Sequence, residues 1–183
     1  MTPARLDANL ELEADSWAFA LRIYALPGVA DACLELQDRA GVDVMVLLVT
    51  AYAAVRHRLF LARLQIHELD AACRSWREQI VQPLRAIRTR LKSGPQPAPS
   101  RDTEPFRSAI KAAELVAERL QHRLLVERLR PQPPPREPVS RQDLRDVLAS
   151  VVTLALERGG GEPVLDLQSS IEVIVEAAMQ EAP

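Results

Sequence analysis

The chain has 183 residues, of which 48% are hydrophobic and 26% charged, and its formal net charge is −2. That is one ordinary domain, or a domain with an appendage, with apolar residues enough for a core. A charge so near zero argues against nucleic acid as a general partner, and an aromatic share of 4% beside abundant Ala and Leu favours helices over strands.

The first residues, MTPARLDANLELEAD, are too charged for the apolar core of a secretion signal and read as a flexible leader, residues 1–14. Asp15 or Ser16 then caps a helix over Trp17 to Leu26, with Trp17, Leu21 and Tyr24 on one face at i, i+4, i+7. Pro27-Gly28 ends it and opens a second helix, Gly28 to Arg39, whose inward stripe is Val29, Cys33 and Leu36. Gly41 suits a left-handed cap, and Asp43 caps a third helix, Val44 to Leu61. That helix is apolar on every side for three turns, which predicts the buried centre of a bundle. Its longest apolar run, Val44 to Val55, is about 12 residues against the roughly 20 that cross a bilayer, so a soluble cytoplasmic protein without a membrane partner is expected.

A fourth helix is expected from Glu68 to Lys92, with Leu69, Ala72, Cys73, Trp76 and Ile80 inward and Ile87 and Leu91 continuing the stripe. Pro83 lies inside it and predicts a kink or break. Residues 93–100, SGPQPAPS, read as a linker. The next helix runs from Glu104 to Arg130. Phe106, Ala109, Ala113, Val116 and Leu120 alternate spacings of three and four, the seam of a helix packed nearly antiparallel to others. Residues 131–139 form a Pro-rich spacer. Ser140 with Asp143 opens a helix to about Arg158, Gly159-Gly160-Gly161 closes it, and a last helix spans Gln168 to Gln180 on Ile171, Ile174 and Ala178. The fold class is therefore all-α: a helical bundle over residues 15–130 around a central buried helix, with an acidic two-helix appendage at 140–183.

No pattern of reaction chemistry stands out. Asp31, Glu35 and Asp38 share a helical face, but no DDxxD run accompanies them, so a solvated acidic face is the simpler reading. His57, His67 and His122 with Cys33 and Cys73 fit no zinc spacing and read as surface histidines and reduced core cysteines. No cofactor and no metal are expected. Arg85, Arg88 and Lys92 fall at i, i+3, i+7 and could touch phosphate, yet cations near a helix C-terminus also complement its dipole. Trp17, Tyr24 and Trp76, with Gln37, Asp38, Asp43, Arg77 and Arg85 as polar partners, form a candidate buried network or pocket.

The residues Tyr24, Pro27-Gly28-Val29, Cys33-Leu34, Leu36-Gln37-Asp38, Gly41, Asp43-Val44, Trp76-Arg77 and Pro83-Leu84-Arg85 resemble a family of uncharacterised small all-helical bacterial proteins, over about Ser16 to Leu129. Two positions depart from that family's pattern: Met45 stands where Asn is usual, and Tyr52 where Trp is usual. The resemblance implies an all-α fold and brings no activity with it. The expected role is a non-enzymatic interaction or accessory protein, with an unknown protein or a second copy as partner. The alternatives are an enzyme or small-molecule binder with a pocket between helices, and weak RNA or ribosome contact through the basic stripe.

Overall fold

The computed structural model describes residues 3–129, 139–159 and 167–182. The Pro-rich run 131–138 and the glycines 160 and 161 lie outside the described residues. In chain order the helices are α1 (Pro3–Tyr24), α2 (Val29–Ala40), α3 (Val44–His57), α4 (Arg63–Trp76), a π-helical turn (Arg77–Val81), α5 (Gln82–Arg90), α6 (Glu104–Val126), α7 (Arg141–Gly159) and α8 (Gln168–Met179). Every regular element among the described residues is helical, so the all-α expectation holds.

α3 forms where its cap and composition demand. Asp43 Oδ1 accepts from the backbone N–H groups of Met45 and Val46, satisfying two of the orphan donors at the helix start. Val46 to Val55 is then an unbroken buried run, walled by α1, α4, α6, α7 and α8. The helix stops earlier than expected, at His57, because Arg58 adopts the left-handed conformation at φ 53°. Gly28 at φ 81° and Gly41 at φ 66° turn the chain at either end of α2, where a side chain would be strained.

Four expectations need correction or refinement. The first helix begins at Pro3, so the leader is helical from there. Its inward face is Ser16, Phe19, Ala20 and Ile23 rather than Trp17, Leu21 and Tyr24, of which Leu21 and Tyr24 are exposed. Secondly, the irregularity expected at Pro83 takes the form of a π-turn in the residues just before it. Pro83 lacks an N–H and its ring crowds the carbonyl four residues back. The chain takes up the strain in the preceding π-turn, where the N–H of Gln82 reaches the carbonyl of Arg77, five residues away. Thirdly, α7 and α8, expected as an appendage that docks on the main domain, a second copy or a partner, pack in cis as part of the bundle itself. α7 packs on α2, α3 and α4, α8 on α1, α2 and α3, and the two pack on each other. Leu144, Leu148, Ile174 and Val175 join the same core as Phe19 and Leu47. Two helices alone cannot bury their apolar faces, and α3 offers the nearest cover. The Ser140–Asp143 start of α7 forms as read, with Ser140 Oγ accepting from the Asp143 N–H.

The fourth correction concerns α6. Its buried residues are Glu114, Ala117, Gln121, His122, Leu125 and Val126. The apolar seam read from the sequence faces outward. Residues 93–100 serve as the turn that lets α5 and α6 pack against each other, with Ala98 buried.

Candidate functional site

Part of the expected polar network is real and lies at the heart of the bundle. Arg77, first residue of the π-turn, is buried, and its Nη1 donates to Asp43 Oδ2 and to Asp70 Oδ1, each at 2.8 Å. Gln121 Nε2 reaches the same Asp43 oxygen at 2.6 Å. Arg158 of α7 donates to Asp70 Oδ2 and to the carbonyl of Gly41. Burial alone would raise the Asp70 carboxyl, but the bonds from Arg158 and Arg77 hold it down, at about 2. Burial works against the Arg77 charge too, and Asp43 and Asp70 more than offset it. Each charge at this centre faces an opposite one. The adjoining void, bounded by Asp43, Asp70, Val151 and Arg158, measures about 10 Å³, room for one water at most. The group therefore ties α3, α4, α6 and α7 together and leaves no space for a substrate.

The remaining named residues divide between a second cluster and the surface. Arg85 Nε donates to Glu114 Oε1 at 2.9 Å, and its other nitrogens bind Glu118 and Gln37. Arg88 also binds Glu114. Burial would raise the Glu114 carboxyl, yet Arg88 and Arg85 bring it below the usual range. Two cations of the basic stripe are thus neutralised inside the α5–α6 pair, and of the three only Lys92 is exposed. Asp38 is exposed and joins neither cluster. Trp17 packs edge-on against His122 with the Arg119 guanidinium over its ring, while Trp76 Nε1 donates to the carbonyl of Ala117 at 2.9 Å. Positions 119 and 122 lie on the opposite flank of α6 from 117. The two tryptophans therefore frame no common pocket.

Sequence reasoning missed Asp70, Gln121 and Arg158 at the centre, and it placed His122 on the surface. His122 is 0% exposed, with Nε2 2.9 Å from the Oγ of Ser16, itself 1% exposed. Its Nδ1 has no hydrogen-bond partner, and Glu13 stands 4.0 Å away. Burial, then Arg119, lowers its pKa to about 4. The order serine, histidine, acid resembles a nucleophile set, but neither Ser16 nor His122 reaches solvent. A signal for Asp70 did exist: Ile66, Leu69, Asp70, Cys73 and Arg77 share one helical face, so two charges interrupt an apolar stripe. Among the described residues no group of His, Cys, Asp or Glu is placed to hold a metal ion. No single helix there is long and apolar enough to cross a membrane.

The outward face of α6 is the other outstanding feature. Phe106, Val116 and Leu120 are 54%, 62% and 44% exposed, and Ala109, Ala113 and Leu124 are exposed between and beyond them. These six positions lie within about 80° of arc along about 27 Å of helix. No charged residue falls in that arc between Phe106 and Leu124. Their exposed surface amounts to roughly 400 Å², within the size range of functional patches on single proteins. Trp76, bonded to the Ala117 carbonyl, stands at its edge, where the chain enters the π-turn.

A family model described as "Protein of unknown function (DUF2390)" matches residues 15–125, from the middle of α1 nearly to the end of α6. No curated protein and no solved structure matches the chain.

Proposed function

The chain belongs to the DUF2390 family of proteins of unknown function, and from its own geometry we propose that it is a non-enzymatic interaction protein that docks a helical partner on the outward face of α6. The observation that carries this reading is the unpartnered stripe Phe106, Ala109, Ala113, Val116, Leu120 and Leu124, which has helix-packing spacing and no helix against it among the described residues. A monomer gains nothing from such a contiguous apolar stripe in water. An amphipathic helix laid along it would meet anchors spaced as its own turns are spaced.

The pocket alternative draws no support from the polar residues named for it. Asp43, Arg77 and Arg85 are consumed in internal pairs, and the larger concavity, about 440 Å³ around Pro83, Ile87, Leu91 and Pro95, contains none of them. RNA contact loses Arg85 and Arg88 to Glu114 and Glu118.

The test is affinity purification of the wild type beside Val116→Arg, a change at a position open to solvent. Association that disappears in the variant while its helicity and thermal midpoint persist supports the reading. Identical association in both proteins removes it.

A further inference from the structure

We infer that the occupant of the α6 face is α6 of a second copy of this chain, laid antiparallel across a two-fold axis at Ala113. This rests on the docking reading above and names its partner. The stripe alternates three and four residues from Phe106 to Leu120, the spacing of helices packed side by side, yet the bundle leaves it bare. A face that pairs with itself must match its own reversal. Ala113 is the midpoint of Phe106 and Leu120, so an axis there sets each Phe106 ring against the partner's Leu120. Ala113, exposed at the centre of the stripe, meets its own copy. Small residues then occupy the point of closest approach, and the large ones sit where two crossing helices diverge. The same axis puts Arg123, which also pairs with Glu127, across from position 103 in the net-acidic turn 101–104 that opens α6, and it sets Leu124 opposite Asp102, so the self-matching apolar face runs from Phe106 to Leu120. Opposed helix dipoles favour the same orientation.

The area is enough for a reversible dimer. With Trp76 at the edge, two copies would bury about 1,000 Å² in total, the lower limit for a specific interface. Dissociation is therefore expected on the order of 10 μM rather than nanomolar.

Sedimentation of the full chain over a range of concentrations tests this. A monomer–dimer equilibrium is expected, weakened more than about tenfold by Val116→Arg, which would leave a charge in an apolar interface. Ala113→Cys should give a disulfide-linked dimer on oxidation, and Ser108→Cys, exposed on the same helix but off the stripe, should not. The native thiols, Cys33 and Cys73, are buried and free, and do not interfere. A chain that stays monomeric at every attainable concentration overturns the inference. So does a dimer indifferent to Val116→Arg, or one linked equally well through position 108. If the wild type is monomeric but Val116→Arg loses a copurifying protein, the docking reading survives and the second copy is excluded. If the variant changes neither property, both fall.

Discussion

At the scale of single residues, the two buried titratable groups with the largest consequences act in adjoining pH windows. His122 is held neutral in the fold, with its pKa near 4 against an ordinary 6.5. The unfolded chain therefore binds this proton more readily, and stability falls as pH drops from about 6.5 to about 4, by about 3 kcal/mol in all. Asp70 is held ionised, at about 2 against 3.8. Its contribution is intact above pH 4 and is lost between about pH 4 and 2, by about 2 kcal/mol. Urea melts at stepped pH should show both losses. His57, half-buried and also lowered by burial, slopes the same way, so the comparison that isolates His122 is His122→Gln. That variant should flatten the upper window and leave the lower one; an unchanged slope between pH 7 and 4.5 would show that His122 does not carry it.

At the scale of elements, the π-turn decides which residues of the α4–α5 rod face the bundle. In an unbroken α-helix Arg85 would lie about 80° round from Arg77, since each residue turns about 100°. The one extra residue held in the π-turn sets that phase back by about 100°, so both guanidiniums look inward, Arg77 to Asp43 and Asp70, Arg85 to Glu114. Deleting the exposed Gln79 should keep Arg85 inward, since seven ordinary steps reach the same azimuth, whereas inserting an alanine after Gln79 should turn Arg85 by about a further 100° and leave the buried Glu114 short of a partner. The expected cost of the insertion is about 3 kcal/mol in a urea melt with little change in helix content; equal stability would deny the turn this role. The same element shows why sequence reading faltered here. A 3.6-residue wheel drawn through the π-turn puts Trp76, Ile80 and Ile87 inward, and Ile80 and Ile87 are exposed. α3 was legible because its composition admits one environment only and Asp43 marks its start. α6 was misread for a different reason. Its true inner face carries Glu114, Gln121 and His122, acceptable in a core only because Arg85, Arg88, Asp43 and Ser16 wait there, and those partners are distant in sequence. Its apolar stripe, expected to pack against the other helices of the bundle, faces outward instead.

At the scale of the molecule, the boundaries of the family match and of the hydrophobic core do not coincide. The matched region ends at residue 125, before α7 and α8. Yet α3 is covered by α7 and α8 on the sides that α1, α4 and α6 leave open, and α8 packs along α2 with Val173 against Gly28, where an added methyl would come within 3.6 Å. Ion pairs fasten this layer at several points: Arg158 to Asp70, Arg56 and Arg22 to Glu181, and Arg63 to Glu157. Two of these four pairs, Arg22–Glu181 and Arg63–Glu157, are exposed and contribute little each; the apolar contact is the main term. A chain ending at Leu129 should therefore keep much of its helix but uncover Leu36, Leu47 and the outer side of α3. Cooperative melting should give way to a broad transition, with dye binding to exposed apolar surface. Coexpressing residues 139–183 should restore a sharp melt, because that segment carries Val139, α7 and α8, the residues that close the core. A truncated chain that melts as sharply as the whole, and binds no dye, would mean that α1 to α6 close a core by themselves. The C-terminal helices would then be free to leave α3 for another surface.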